Sequence, residues 1–189
     1  MFGWLIVLLS CSDKSTDSFP VPKSQRVTIE TSMGRFVVSL DWSRSPRTAE
    51  NWMRYVTTGF YDGSDGLGAT VFHRVIDDFV VQGGGYTEQG ISKETFEPIV
   101  NESVTSGLSN LRGTIAMART DDPDSATSQF YVNVVDNVFL DSDGVSPGYA
   151  VFGTIVEGMP ILDEMASVSV DGNSTPDESI VIIETQIGN

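Results

Sequence analysis

The amino-acid sequence predicts an all-β domain, a barrel or a sandwich, with two helices packed against it as plugs. Eight short runs rich in β-branched and aromatic residues are separated by Gly, Pro, Asp and Asn. Only two segments have the apolar period of a helix. No internal repeat and no second linker interrupts the chain after residue 25, so one domain is expected.

The first two β-rich runs predict a hairpin. Val27–Thr31 and Arg35–Leu40 flank the short turn Ser32-Met33-Gly34.

The next segment predicts a helix, with Ser45 as its N-cap and Pro46 at its first position. Gly59 is expected to end it. One helical face is apolar at positions i, i+3, i+4 and i+7: Ala49, Trp52, Met53 and Val56.

A Gly-rich loop follows at 60–69, and then come short β-like runs at 70–75, 79–82, 114–119, 128–134 and 150–156. Met159–Val168 predicts a second short helix, because Ile161, Leu162 and Met165 share one face. Ser179–Ile187 predicts a final strand.

Composition excludes several classes of function. The chain has 189 residues, 40% of them apolar, so it can bury a core. Its net charge is −15, and residues 120–189 hold 13 acidic residues and no Lys or Arg. Nucleic-acid binding is therefore not expected, because phosphate contacts need clustered Lys and Arg. One cysteine and one histidine exclude an intrachain disulfide and a Cys-based or multi-His metal centre.

The N-terminal residues predict export and lipid attachment. Residues 1–10 have the short apolar core of a signal peptide and are too few to span a bilayer. They run into Leu8-Leu9-Ser10-Cys11, which resembles a bacterial lipobox, although no Lys or Arg precedes Lys14. The alternative is a buried strand with a free cysteine. We expect a signal peptide at 1–10, a lipidated Cys11 with a flexible tether at 11–25, and a folded domain at 26–189.

Four blocks of sequence carry a family resemblance. They are Val71–Gly85 (VFHRVIDDFVVQGGG), Asn110–Thr120, Ser125–Asn133 and Gly148–Gly153. The first closely resembles the signature of the cyclophilins, peptidyl-prolyl cis/trans isomerases, and the others follow in that family's order over residues 26–187. The resemblance implies a closed eight-stranded antiparallel β-barrel capped by two α-helices, and an enzyme that accelerates X-Pro isomerisation during protein folding.

The same resemblance implies the site. Arg74 matches the catalytic arginine that stabilises the twisted amide, Gln82 matches the residue that orients it, and Phe79 matches a wall of the proline pocket. Substrate binding is implied for Met117, Ala118, Arg119, Gln129, Tyr131, Phe139, Leu140 and Tyr149. Phe139 and Tyr149 fall where many eukaryotic members carry Trp and His, which resembles the bacterial periplasmic branch.

The residues themselves are consistent with non-covalent catalysis. With one histidine, no catalytic dyad or triad that uses Ser or Cys is evident. The sequence contains no P-loop and no dinucleotide-binding motif. No cofactor and no metal are expected. The acidic blocks Asp121–Ser125 and Asp141–Gly144 favour solvated turns over calcium sites, because the twelfth position after Asp141 is Phe152, not Glu. Without the resemblance, the residues themselves favour a surface or salt-bridged role for Arg74 and a plain core role for Phe79.

The expected partners are proline-containing polypeptides and, through Cys11, a membrane; we expect a monomer. The expected location is the bacterial envelope, facing the periplasm, and Ser12 after the cysteine favours the outer membrane. The rival hypothesis is a binding module that holds proline-containing segments without turnover. A metal-dependent hydrolase is disfavoured because the ligand set is missing.

Overall fold

The computed structural model of this protein describes residues 25–188. The predicted signal peptide at 1–10, Cys11 and all of the predicted tether except Gln25 lie outside the described residues.

Eight antiparallel strands close into a barrel, which confirms the predicted fold and excludes the sandwich. The strands are β1 Arg26–Thr31, β2 Gly34–Leu40, β3 Thr70–Ile76, β4 Val80–Thr87, β5 Thr114–Met117, β6 Phe130–Asn133, β7 Val151–Glu157 and β8 Ile180–Ile187. Going round the barrel, the strand order is β1-β2-β7-β5-β6-β4-β3-β8, and β8 pairs with β1. Closure leaves no unpaired sheet edge.

Both predicted helices are present: α1 spans Pro46–Thr57, and the second predicted helix spans Met159–Ala166. A short helix, α2, lies between them in the chain at Ser103–Ser106, so the second predicted helix is α3. A single 3₁₀ turn spans Val138–Leu140. The sequence predicts neither α2 nor the 3₁₀ turn, because segments this short contain too few residues to show a helical spacing of apolar side chains. Between residues 25 and 188, no helix has the length and apolar character needed to cross a bilayer.

The barrel interior and the two longer helices form one core. All four apolar residues predicted for one face of α1 are buried. Among them, Trp52 packs its ring 5.9 Å from Phe130 and 5.7 Å from Phe152, which belong to β6 and β7. Leu162 and Met165 of α3 are fully buried in the same cluster. Aromatic burial of this kind contributes a large part of the stability of a domain this size.

The start of α1 differs from the sequence prediction in one respect. Ser45 is the N-cap residue, but its hydroxyl donates to the Val151 carbonyl at 2.7 Å instead of capping the helix. The free N–H groups of the first turn are bound by Glu102, whose carboxylate accepts from the Thr48 backbone at 2.8 Å and from Arg47 at 3.2 Å. A carboxylate at a helix N-terminus also offsets the helix dipole.

Alternation along the strands builds a second, smaller apolar cluster on the outside of the barrel. In β6, Phe130 and Val132 face the interior core, whereas Tyr131 between them belongs to the outer cluster. The buried members of this outer cluster are Val80, Ala116, Tyr131 and Val151, and Phe79, Leu108, Ala118, Leu140 and Tyr149 pack against them. This outer cluster carries the site described next.

Candidate active site

Strand register places three side chains in a row on the outer face of the barrel. Arg74 of β3 is opposite Gln82 of β4, which in turn is opposite Tyr131 of β6. Ala116 of β5 continues the row beyond Tyr131. Because directly opposed residues share a face of the sheet, the row points in one direction.

Hydrogen bonds hold the polar end of this row in a defined order. The Arg74 Nη1 donates to Gln82 Oε1 at 3.3 Å, and Gln82 Nε2 donates to Gln129 Oε1 at 3.0 Å. Because a guanidinium only donates, the Gln82 oxygen faces Arg74, and its amide nitrogen is left to donate onward. Arg74 is half-buried, with its Cζ atom 6.0 Å from the centre of the Phe79 ring.

A cavity of about 270 Å³ opens beside this row. Its walls combine apolar side chains with two guanidinium groups: Arg74, Phe79, Val80, Gln82, Ala118, Arg119, Tyr131, Leu140 and Tyr149. Such a mixture binds an apolar group and offers hydrogen-bond donors at its edge.

Arg119 is the second cation of the cavity, and the adjoining backbone holds its guanidinium. Its Nε donates to the Gly148 carbonyl at 3.1 Å, and its Nη1 donates to the Thr120 carbonyl at 2.8 Å. Its Cζ atom lies 4.4 Å from the centre of the Tyr149 ring, within cation–π distance. Arg119 therefore shapes one wall together with Tyr149.

Three consecutive glycines in β4 permit close packing behind the site. A Cβ atom on Gly83 would lie 2.8 Å from the Phe72 ring, and one on Gly84 would lie 2.8 Å from the Tyr61 ring. Gly84 also has φ of +81°, a conformation that side chains other than Gly rarely adopt. A Cβ on Gly85 would lie 2.6 Å from the side chain of Gln129. Packing therefore requires Gly83 and Gly84, and the position of the Gln129 side chain requires Gly85.

Most residues assigned from the resemblance lie together at this cavity. Arg74, Phe79, Gln82, Ala118, Arg119, Tyr131, Leu140 and Tyr149 line it. Gln129 lies behind Gln82, as its hydrogen-bond acceptor. Phe139 is outside the cavity and 72% exposed, with its ring stacked on Phe79 at 5.7 Å.

The structure corrects the assignment of Met117. Its side chain is 1% exposed and belongs to the interior core, so it does not line the cavity. The reason is the alternation of β5, in which Ile115 and Met117 face the interior and Ala116 faces outward.

Val80 is a cavity residue that sequence reasoning missed. The available signal was alternation, because Val80 is two residues before Gln82 on β4 and therefore shares its face.

His73 lies next to Arg74 but lines a different cavity, together with Tyr86. Its ring packs edge-on against the Tyr86 ring at 4.8 Å. Burial lowers the pKa of His73, and the charge of Arg74 adds to this, so the ring is neutral near pH 7.

The acidic blocks form hydrogen-bonded turns. An Asp122 carboxylate oxygen accepts from the Asp124 N–H at 3.0 Å, and one of Asp143 accepts from Val145 at 2.9 Å and Ser146 at 2.7 Å. In residues 25–188, no group of three or more His, Cys, Asp or Glu side chains is placed to hold a metal ion.

The cavity suits binding and polarisation of a neutral group. In the part of the chain that the structure describes, its walls contain no Ser, Cys, His or carboxylate side chain. An arginine at the edge of an apolar recess is able to donate hydrogen bonds to a lone pair of a bound neutral group.

Comparison with known proteins agrees with this geometry. Residues 26–187 match the family model of cyclophilin type peptidyl-prolyl cis-trans isomerases. The chain is 43% identical to peptidyl-prolyl cis-trans isomerase A of Dickeya dadantii, with 90% of this chain and 88% of that protein covered. It is 42% identical to isomerase B of Escherichia coli, with 82% and 95% covered.

A solved cyclophilin of Cryptosporidium parvum has the same fold, with a TM-score of 0.69 and 24% identity over 87% of this chain and 99% of that one. The family match and the bacterial relatives establish that this chain belongs to the cyclophilin-type peptidyl-prolyl cis-trans isomerases.

Proposed function

We propose that this chain accelerates cis/trans isomerisation of X-Pro bonds in polypeptides, with Arg74 as the residue that stabilises the twisted amide. The observation that carries the proposal is the position of the Arg74 guanidinium, held by Gln82 at the edge of an apolar cavity. The proline ring occupies that cavity, between Phe79, Tyr131 and Leu140.

The chemistry requires no covalent intermediate. Rotation about a peptide bond has a barrier of about 18–20 kcal/mol because it interrupts amide resonance. In the twisted amide the prolyl nitrogen regains a lone pair, to which a guanidinium donates. A site that binds this state better than either planar isomer accelerates the reaction. An acceleration of about 10⁶-fold corresponds to about 8 kcal/mol of such preference.

The direct test is an isomerisation assay, by protease coupling or NMR exchange, on a peptide that contains Ala-Pro. We expect the folded domain to shorten the exchange time from the tens to hundreds of seconds typical of the uncatalysed reaction. A folded wild-type protein without activity would refute the function.

The Gln82–Gln129 contact is expected to matter for turnover, and Gly85→Ala tests it. The new methyl group would meet Gln129 at 2.6 Å and displace that flexible side chain, so Gln82 loses its acceptor. We expect kcat/KM to fall about fivefold with little change in Tm, since about one hydrogen bond is lost. The matched control is Gly172→Ala, where no atom lies within 4 Å; equal activity of both variants would count against the prediction.

The charges around the cavity predict a preference for cationic residues near the target proline. Exposed carboxylates precede Phe79 and follow Arg119 and Leu140: Asp77, Asp78, Asp121, Asp122 and Asp143. At low salt we expect kcat/KM to be about threefold higher for a Lys-flanked than for a Glu-flanked peptide, and the difference to vanish near 1 M salt. Equal rates at low salt would contradict this.

A second candidate is a binding module for unfolded segments, which the exposed apolar residues beside the cavity favour. Phe139 is 72% exposed and Val138 is 60% exposed. In that case Arg74→Ala, with peptide affinity retained, still supports the cellular role of the protein. Loss of that role in the same variant favours the enzyme.

We propose further that the protein is a lipoprotein of the bacterial envelope, in the periplasmic branch of the family, anchored through Cys11 and facing the periplasm at the outer membrane. The support is sequence alone: residues 1–9 are apolar, and the single cysteine follows Leu8-Leu9-Ser10. Residues 11–25 then serve as a tether for the domain at 26–189.

Radiolabelled palmitate tests the anchor. We expect label in the wild type and none in Cys11→Ser; an unlabelled wild type with an intact N-terminus would refute it. We also propose that the protein acts as a monomer, which sedimentation of the Cys11→Ser form tests without interference from the lipid.

A further inference from the structure

Three asparagines are buried directly behind the cavity and are joined to one another. Asn110 and Asn133 are 0% exposed and Asn137 is 2% exposed. The Asn137 side-chain amide donates to Asn133 Oδ1 at 2.8 Å, and that of Asn133 donates to Asn110 Oδ1 at 3.3 Å. Buried amides are retained only where such bonds satisfy them, so these three residues form one unit, here called the asparagine cluster.

The asparagine cluster is bonded to two walls of the cavity. The Tyr131 hydroxyl donates to Asn110 Oδ1 at 2.7 Å. The side-chain amide of Asn137 donates to the backbone carbonyl of Phe79 at 3.0 Å. The positions of Tyr131 and Phe79 are therefore fixed by Asn110 and Asn137, whose side chains do not line the cavity.

The opposite walls are tied to the same cluster. The backbone N–H of Leu140 donates to the Asn137 carbonyl at 2.9 Å, and Asn110 Nδ2 lies 3.4 Å from the Tyr149 carbonyl. A hydrogen bond of 2.9 Å from the Tyr149 N–H to the Leu140 carbonyl joins these two walls directly. Four of the nine residues that line the cavity are thus bonded to the asparagine cluster.

Asp141 determines the direction of these hydrogen bonds. Its carboxylate accepts from the Asn110 backbone N–H at 2.7 Å and from Asn110 Nδ2 at 2.8 Å, and Ser109 Oγ also donates to it. A carboxylate only accepts, so the Asn110 amide nitrogen faces Asp141 and its oxygen faces Tyr131.

The Tyr131 hydroxyl must then be the donor to Asn110. Burial raises the pKa of Tyr131 well above its ordinary value, and the nearby Tyr149 and Asp141 add to this, so the hydroxyl keeps its proton. The bond directs the one polar atom of Tyr131 into the asparagine cluster. What Tyr131 offers to a ligand is its apolar ring.

We infer that Asn110 is a positioning residue of the isomerase site, which acts on the bound proline through Tyr131. The inference rests on the proposed function, because it assigns the cavity to a proline ring. Asn110 is absent from the cavity walls, so its effect on substrate is exerted through the residues that it holds.

The test is a double-mutant cycle between Asn110→Ala and Tyr131→Phe, with KM and kcat measured separately by NMR exchange. For Asn110→Ala we expect kcat/KM about tenfold lower, mostly through a higher KM, because the buried hydrogen bonds to Tyr131 and Tyr149 are lost while Arg74 is untouched. Tyr131→Phe alone should give about a threefold loss. In the Tyr131→Phe background, Asn110→Ala should lose most of its effect on KM, because coupled residues are not additive.

The matched control is Thr48→Val, which also removes a buried hydrogen bond. In that bond the Thr48 hydroxyl donates to the Glu102 carboxylate at 2.7 Å, away from the cavity. This variant should lower Tm yet leave KM unchanged. If Asn110→Ala keeps the wild-type KM, or if its effect multiplies with that of Tyr131→Phe, the inference fails. If Asn110→Ala does not fold, an unchanged KM in Tyr131→Phe overturns the inference and a raised one supports it. An inactive wild type refutes the proposed function instead.

Discussion

Arg74→Ala should lower kcat/KM for an Ala-Pro peptide by about 100-fold, the size seen when a single preorganised donor to a transition state is removed. The guanidinium is the donor that faces the twisted amide in the proposed mechanism, and Gln82 and the Phe79 ring hold it in place. The apolar walls remain in the variant, so peptide affinity should change by no more than about threefold. Isomerase activity and peptide titration by NMR measure the two effects separately.

Arg74→Lys is expected to remain strongly impaired. A lysine ammonium is a compact point charge and lacks the planar fork that bonds Gln82 and the substrate at once. The matched control is Arg44→Ala, since Arg44 is an exposed arginine that pairs with Asp41 at 2.7 Å, outside the cavity. Full activity in Arg74→Ala would refute the mechanism, whereas equal losses in Arg44→Ala would point to a general effect on folding.

Lys93→Met should lower the free energy of unfolding by about 3 kcal/mol, because it breaks a buried ion pair from one side. The Lys93 ammonium donates to the carbonyls of Phe60 at 2.6 Å and Gly68 at 2.7 Å, and lies 2.8 Å from the Asp65 carboxylate. It therefore holds the Gly-rich loop after α1 against the barrel. The apolar replacement leaves these three acceptors without their common donor.

Denaturant unfolding monitored by circular dichroism measures this change, and we expect Tm to fall by about 10 °C. Adding Asp65→Asn to Lys93→Met should recover part of the loss, since the unpaired carboxylate is then removed. Arg35→Met, at an exposed cation on β2, is the control and should change stability by less than about 0.5 kcal/mol. A Lys93→Met protein as stable as this control would show that the ion pair contributes nothing net.

Helix α1 illustrates what a local pattern predicts and what it leaves open. The spacing of Ala49, Trp52, Met53 and Val56 predicts both the helix and its buried face, and the structure confirms both. The position of Ser45 at the N-cap is also correct. The capping group is nevertheless Glu102, 54 residues further along the chain from Thr48. Because an acceptor from a distant segment satisfies the helix end equally well, no local signal identifies it.

The family resemblance, and no local pattern, assigned the candidate site residues. Eight of the eleven site residues assigned by resemblance line the cavity, because the motif blocks sit on neighbouring strands of one closed barrel. The three assigned residues that do not line it are Met117, Gln129 and Phe139, and Val80 is a lining residue that was missed. For Met117 and Val80, the face of the strand decides whether the side chain reaches the cavity, and strict alternation would have indicated it.

Local sequence patterns predict the strands and the two longer helices, because hydrophobic period and turn residues act over a few neighbours. The cavity residues were assigned from the resemblance of four sequence blocks to the cyclophilin family. Which polar groups meet depends on how the whole chain packs. Asn110 and Tyr131 are 21 residues apart, and Lys93 and Phe60 are 33 apart. The hydrophobic periodicity of a segment shows which face of a helix or strand a residue occupies. The partner across that face depends on strand order, register and barrel closure, which arise only when the whole chain packs.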